Sequence, residues 1–133
     1  METTDAFDGF VCRDCGARHD PEEAPGRCPA CAGPLAATYD LDAVDSSLVD
    51  GGRAPADSMW RFADLLPFPA ADAVSAGEGA TPLIECPKLA GELDVGQVLI
   101  KDEGQNPTGS VADRGLAVAV TAAATAGATD VAL

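Results

Sequence analysis

Four of the five cysteines form two close pairs near the start of the chain. Two residues separate Cys12 from Cys15, two separate Cys28 from Cys31, and twelve residues lie between the pairs. Two C-x2-C knuckles at this spacing are typical of a tetrahedral Zn²⁺ site with four thiolate ligands. Four protein ligands fill the coordination shell of zinc, so we predict a structural metal rather than a catalytic one. Without the metal, this segment of few apolar residues is expected to be disordered.

Two disulfides, or an iron site of the rubredoxin type, are the alternatives for these four cysteines. The chain begins Met-Glu-Thr-Thr-Asp, which is polar and acidic and does not resemble a secretion signal, and this argues against disulfides. His19 is the only histidine and lies between the two pairs, where it could replace a cysteine as ligand. We expect it instead to be an ordinary loop residue. Cys86 has no partner motif and is expected to be a packed thiol.

A second group of polar residues forms a turn-rich loop over about 102–109. Glycine, asparagine and hydroxyl side chains follow an apolar run at 98–100 and precede an alanine-rich stretch. A loop of this composition between a strand and a helix is a common binding place for anionic or polar ligands in α/β folds. A plain structural cap is the alternative, because many helices begin in this way.

The helix after this loop has the clearest sequence signals at its ends. Alanine, the strongest helix former, supplies seven of the seventeen residues of about 110–126. Ser110 is predicted to be the N-cap, and Asp113 stands three residues later, as in a capping box. Gly127 is predicted to end the helix.

The helix and its flanking apolar runs predict a βαβ unit. Residues 98–100 are expected to form one strand and 130–133 a second, parallel strand that is cut short. One further short helix is predicted at 59–66, before Pro67. We divide the chain into a zinc-ribbon-like head at 8–38, an acidic linker at 39–75 and an incomplete α/β domain at 76–133.

The charge balance excludes several functions. Asp and Glu number 22 against 8 Lys and Arg, for a formal net charge of −14. A nucleic-acid partner or an anionic membrane surface requires a basic footprint, which is absent. Fifteen aspartates, 26 alanines and only two lysines predict a halophilic protein of a salt-rich cytoplasm, where screening suppresses self-repulsion. An ordinary acidic protein from a mesophile is the alternative.

Four further motifs follow the cysteine head in order. They are W-R-F-A-D-L-L-P at 60–67, G-E-G-A-T-P-L at 77–83, K-D-E-G-Q-N-P-T-G-S at 101–110 and D-R-G at 113–115. Their order and spacing resemble the N-terminal portion of threonine synthase, a fold-type II enzyme that uses pyridoxal phosphate (PLP). The resemblance implies an α/β fold in which a small four-cysteine zinc ribbon precedes the truncated start of a tryptophan synthase β-like domain.

The resemblance also implies a reaction and a site. The family is a PLP-dependent lyase of amino-acid biosynthesis that converts O-phospho-L-homoserine and water into L-threonine and phosphate. Four residues match the motif that lines the cofactor side of the family's pocket, namely Asn106, Thr108, Gly109 and Ser110. Other matches are Asp113 and Arg114, which in the family hold the lysine loop in place, and Thr81 and Pro82, which run close to the active site.

One departure from the family pattern removes the central catalytic group. The family holds PLP as a Schiff base through the lysine of S-F-K-D-R-G, whereas this chain has S-V-A-D-R-G with Ala112 at the lysine position. Alanine cannot form an imine, so no catalytic residue is assigned. Lys101 matches a separate lysine of the family. The family's phosphate-binding Gly/Ser-rich loop would follow Leu133. We therefore doubt PLP binding by this chain alone.

Three hypotheses follow. The chain is an N-terminal fragment of a threonine synthase-like protein, or a non-catalytic or diverged paralogue, or a stand-alone zinc-ribbon interaction module. Other fold-type II activities, such as threonine dehydratase or a phosphoserine-dependent synthase, stay open. The ligand that the resemblance implies is a small amino-acid phosphoester. We expect no nucleic-acid partner and no membrane partner. A homo-oligomer is an option for the complete protein.

Overall fold

A computed structural model describes residues 2–21, 26–44 and 58–132 and has a mixed α/β architecture, as predicted. The strands are β1 (Phe7–Cys12), β2 (Arg18–His19), β3 (Leu35–Tyr39), β4 (Leu83–Glu85) and β5 (Leu99–Lys101). The α-helices are α1 (Pro87–Leu93) and α2 (Ala112–Thr125), and 3-10 segments cover Leu41–Ala43, Met59–Leu65, Ala70–Asp72 and Glu103–Gln105. Among these residues, no helix combines the length and the apolar character that a membrane crossing needs.

The cysteine-rich head is a small antiparallel sheet in the order β2-β1-β3. Phe10 on β1 faces His19 on β2, and the register with β3 shifts between Phe7 and Gly9. The rings of Phe7 and Phe10 meet edge to face at 5.3 Å, and Tyr39 packs 5.5 Å from Phe7. The contact between Phe7 and Tyr39 thus adds ring packing to the pairing of β1 with β3.

The main core lies between the Met59–Leu65 segment and α2. Its buried members are Met59, Trp60, Ala63, Phe68 and Ala117. Thr4 connects the head to this core, because its amide donates to the Pro67 carbonyl at 3.1 Å and its hydroxyl to the Leu66 carbonyl at 2.5 Å. The helix predicted at 59–66 is a 3-10 segment with a kink at Phe62, where φ is −106°.

The second sheet corrects the predicted βαβ unit. The strand predicted at 98–100 is β5, and it pairs antiparallel with β4, with Ile84 opposite Ile100. Residues 131–132 are not in a strand, so the predicted second parallel strand is wrong for every described residue of 130–133. Residues 86–98, which include the seven residues of α1, connect the two strands. All six residues of β4 and β5 are exposed.

The predicted ends of the long helix are half correct. Gly127 ends it with a φ of +84°, and the Ala128 amide donates to the Ala123 carbonyl, as in a Schellman motif. The predicted capping box is wrong, because α2 begins after Val111 and the Asp113 carboxylate turns to Thr108 instead. The Ser110 hydroxyl still accepts the Ala112 amide at 3.1 Å.

Candidate functional site

The two C-x2-C knuckles have the same backbone form. Gly16 donates its amide to the Cys12 carbonyl at 3.0 Å, and Ala32 donates to the Cys28 carbonyl at 2.8 Å. Both donors are left-handed, with φ of +74° at Gly16 and +61° at Ala32. This conformation turns the chain back sharply after each pair, so the two cysteines of a knuckle point to one place.

The four thiols converge on a single point. All four Sγ atoms lie within 4.8 Å of one another, with 3.5 Å between Cys12 and Cys31 and 3.7 Å between Cys15 and Cys28. A Zn–S bond of about 2.3 Å in a tetrahedron requires S···S edges of about 3.8 Å. The donor set and its spacing therefore fit a zinc centre with four thiolate ligands, and the four predicted ligands are brought together.

The thiols of this cluster differ in acidity. Burial would raise the pKa of Cys28, but hydrogen bonds from His19 and from the amides of Ala30 and Cys31 lower it to about 6. The Gly33 amide favours the Cys31 thiolate, yet the neighbouring thiols raise the Cys31 pKa to about 12. The Cys12 pKa is also lowered and the Cys15 pKa is also raised, so two of the four thiols ionise more readily than the other two. A divalent cation supplies the charge that allows all four to ionise.

His19 is not the loop residue that the sequence predicted. It lies on β2, and its Nε2 atom is 3.6 Å from Cys28 Sγ. Sequence reasoning missed this contact because only the sheet brings position 19 back to the second knuckle. Cys86 lies outside the cluster at the start of α1, where its thiol is 3.8 Å from the Ile84 carbonyl.

An ion pair organises the loop between β5 and α2. Arg114 at the start of α2 binds Glu103 through two donors, each 2.8 Å from a carboxylate oxygen. Thr81 and Asn106 each donate to the same carboxylate at 2.8 Å. The Arg114 guanidinium and these donors lower the pKa of Glu103 to about 2. Arg114 also donates to the Gly79 carbonyl at 3.1 Å, which ties the 77–83 segment to this loop.

Asn106 completes the connection to the 77–83 segment. Its side chain is buried, accepts the Gly79 amide at 2.9 Å and donates to Glu103. Gly79 has a φ of +97°, and an added Cβ would lie 2.6 Å from Met59 Cβ. Only glycine therefore allows the segment to lie so close to the core and to Asn106.

Glu78 is a site residue that sequence reasoning missed. Its side chain is 2% exposed and accepts hydrogen bonds from the Trp60 indole at 2.8 Å and the Ala76 amide at 2.9 Å. The Ser75 hydroxyl lies 3.0 and 3.1 Å from its two oxygens. Of this segment, only Thr81 and Pro82 were predicted to lie close to an active site. An acidic residue between two glycines, downstream of the single tryptophan, was the available signal.

The four residues predicted to line the cofactor lie on one loop. Thr108 binds Asp113 through its amide at 2.8 Å and its hydroxyl at 2.5 Å, Gly109 has a φ of +78°, and Ser110 accepts the Ala112 amide. Asn106 binds Gly79 and Glu103. The polar side chains of Asn106, Thr108 and Ser110 therefore all form hydrogen bonds within the chain. Thr108 and Asp113 also border a groove of about 290 Å³ beside α2. Their cofactor role stays a prediction.

No lysine stands at the start of α2. Ala112 is exposed there, and the chain's two lysines lie on α1 and β5. Lys101 on β5 donates its amine to the Thr81 carbonyl. The residues present therefore fit a zinc ion in the head but do not fit covalent attachment of PLP at the helix start.

The sequence of this chain is similar to those of known proteins. Residues 74–132 match the profile of the family described as pyridoxal-phosphate dependent enzyme. Threonine synthases of Methanosarcina acetivorans and Methanocaldococcus jannaschii are each 37% identical to the chain, over 112 and 114 residues, which is 84% of this chain in both cases. Synechocystis threonine synthase is 49% identical over 53 residues, 38% of this chain and 14% of its own length. No solved structure matches the chain.

These matches confirm the predicted resemblance to threonine synthase and to PLP-dependent enzymes. The chain spans 27% and 28% of the lengths of the two archaeal proteins. The residues matched to the PLP-dependent family include the 77–83 segment, the 101–110 loop and the whole of α2. The match to PLP-dependent enzymes thus includes the residues of the network around Glu103 and Arg114.

Proposed function

We propose that the chain carries a structural Zn²⁺ in its four-cysteine head and provides part of the active-site scaffold of a threonine synthase-like enzyme. The reaction is the PLP-dependent conversion of O-phospho-L-homoserine and water into L-threonine and phosphate. The support is the relationship to proteins named threonine synthase over 84% of this chain. The small amino-acid phosphoester is then the ligand, and the cytoplasm is the compartment.

The observation that carries this proposal is the hydrogen-bond network between three separate motifs. Gly79 and Thr81 come from the first motif, Glu103 and Asn106 from the second, and Arg114 from the third. The 77–83 motif and the two motifs at 101–110 and 113–115 thus meet at one carboxylate, that of Glu103. The network fixes the loop at 106–110 against α2, and so orders the residues that we propose to face the cofactor.

PLP supplies an electron sink when it is bound. The chain's own residues hold the loop: Arg114 and Glu103 form its base, and Asp113 holds Thr108. Ala112 offers no amine. We therefore propose that this polypeptide alone does not produce threonine, and that a diverged, non-catalytic role is the alternative to a scaffold role.

A chimera tests the scaffold role. The matching 112 residues of the Methanosarcina acetivorans threonine synthase are replaced by those of this chain, with Ala112 retained or changed to lysine. We expect threonine formation from O-phospho-L-homoserine only with Ala112→Lys, because only an amine at the helix start can hold PLP. Ala119→Lys, at another exposed position of α2, is the matched control and should stay inactive.

The outcomes of the chimera separate the hypotheses. If the folded Ala112→Lys chimera contains zinc but makes no threonine, the scaffold proposal is wrong and a diverged role is favoured. Activity with Ala112 retained would show that another group replaces the lysine. For the chain itself, borohydride reduction after PLP titration followed by intact mass should give no covalent adduct beyond that of a denatured control.

The acidic surface supports a further part of the proposal, a salt-rich cytoplasm. A net charge of −14 on 133 residues favours unfolding by self-repulsion at low salt, and molar KCl screens charges over roughly 3 Å. Circular dichroism across a KCl series should show folding that increases with salt. Full structure in low salt would contradict the halophilic interpretation.

A further inference from the structure

The sheet of the head fixes the position of His19. Its strand, β2, pairs with β1, with His19 opposite Phe10. Gly9 makes this pairing close, because a Cβ at Gly9 would lie 2.4 Å from the His19 carbonyl oxygen, and its φ of +111° suits glycine alone. The main chain of His19 is thus held by β1, and its ring reaches Cys28 Sγ at 3.6 Å from Nε2.

The sulfur of Cys28 has hydrogen-bond partners in both the backbone and a side chain. Amides of the second knuckle, from Ala30 and Cys31, donate to it, as amides of the first knuckle donate to Cys12. Among the described residues, His19 is the one side chain outside the four cysteines that is recorded against a cluster sulfur. The nearby Arg18 pairs with Asp8 at 3.1 Å instead.

Charge explains what such a donor would do. A Zn²⁺ ion with four thiolates carries two net negative charges, and Cys28 is 2% exposed, so water solvates its share of this charge poorly. An N–H donor on the His19 ring, which β2 holds in place, compensates the negative charge of the Cys28 thiolate. The histidine does so without replacing the cysteine as a metal ligand. Partners of this outer kind orient metal ligands and strengthen metal binding.

We propose that His19 is a positioning residue of the metal centre, whose Nε2–H donates to the Cys28 thiolate and tightens the hold on Zn²⁺. The inference rests on the proposed zinc site in the head. It gives the single histidine a role in metal retention rather than in coordination. Cys28 is then the ligand that the protein protects best, and the exposed Cys15 and Cys31 are the ligands that open first.

Two substitutions at one position separate a hydrogen bond from packing. In the full chain, His19→Phe keeps a ring but loses the donor, whereas His19→Gln keeps a donor near the position of Nε2. We expect His19→Phe to weaken zinc binding roughly tenfold in competition with a chromophoric chelator. His19→Gln should stay within about twofold of the unchanged chain, and Arg18→Gln, on the same strand, should have no effect.

Spectroscopy gives a readout that packing alone would not change. With Co²⁺ in place of Zn²⁺, all variants should show four thiolate ligands, while His19→Phe shifts the thiolate-to-cobalt charge-transfer band to lower energy. Iodoacetamide should also modify Cys28 faster in His19→Phe. A nitrogen ligand in the unchanged chain, or equal zinc affinity and band position in all variants, would overturn the inference. If the unchanged chain binds no metal, the zinc site itself fails, and this result is distinguished by metal analysis beforehand.

Discussion

Replacing Glu78 with leucine should lower the free energy of unfolding by about 3 kcal/mol, although the two side chains are similar in size. The carboxylate is almost fully buried and accepts hydrogen bonds from the Trp60 indole and the Ala76 amide. Leucine would retain the packing and leave these donors without an acceptor. The change therefore isolates the hydrogen bonds of Glu78 from its volume.

The magnitude follows from the donors that lose a partner. An unsatisfied buried donor costs about 1–3 kcal/mol, and the Trp60 indole is in the core, with its residue 4% exposed. Ala76 is exposed, so its amide can turn to water at little cost. Glu78→Gln keeps one oxygen for Trp60 and weakens only the charge assistance, so we expect a smaller loss of about 1.5 kcal/mol.

Trp60 is the chain's only tryptophan and reports on its own environment. Urea unfolding of the zinc-loaded chain, followed by tryptophan emission, should move to lower midpoints. With a slope of about 2 kcal/mol per molar urea, Glu78→Gln should shift the midpoint by about 0.7 M and Glu78→Leu by about 1.5 M. Trp60→Phe, followed by circular dichroism, removes the indole donor and should therefore remove most of the effect of Glu78→Leu, about 2 kcal/mol.

The relative stability of Glu78→Leu and Glu78→Gln tests the role of the hydrogen bonds. If Glu78→Leu is as stable as Glu78→Gln, the packing of the side chain at position 78, rather than its hydrogen bonds, stabilises the 77–83 segment. If Glu78→Leu is more stable than the unchanged chain, the desolvation of the Glu78 carboxylate costs more free energy than its hydrogen bonds contribute.

Four further results are expected. Above pH 4.5 the lowered pKa of Glu103 adds stability that is lost as the pH falls towards 2, so the difference in urea midpoint between the unchanged chain and Glu103→Gln should be full at pH 7 and vanish near pH 2. Gly16→Ala should destabilise the zinc-loaded head by about 1 kcal/mol in thermal melts, whereas Ala32→Gly, at the equivalent left-handed position, should not; equal losses would show that the knuckles differ. Zinc removal by a chelator should abolish amide protection in β1–β3, and a head that stays protected would contradict a structural metal. Ala112→Lys should change the unfolding free energy by less than about 0.5 kcal/mol, because Ala112 is exposed; a larger loss would mean that the helix start cannot accept a lysine.

The four-cysteine cluster was predictable because the sequence signal for it is local. Each C-x2-C pair forms a turn from its own residues, and a single metal ion is enough to bring two such turns together. The end of α2 was predictable for the same reason, since Gly127 acts on the residues next to it.

The errors arose where a residue has two local partners or a distant one. Asp113 has both the Ser110 end of the helix and Thr108 within reach, and it binds Thr108, so the capping box predicted from spacing does not form. His19 and Glu78 acquire their partners through chain contacts 9 and 18 residues away. The parallel strand at 130–133 was predicted from periodicity, which does not specify a pairing partner.

The pairing of β4 with β5 sets an order for local opening. A two-stranded sheet that exposes both of its faces is at best marginally stable by itself, and α1 contributes one buried residue, Ala90. The segment around Trp60 and α2 has the buried core and the Glu78 hydrogen bonds. Amide hydrogens of residues 83–101 should therefore exchange with solvent at a low opening free energy, while those of the middle of α2 exchange only when the core itself unfolds.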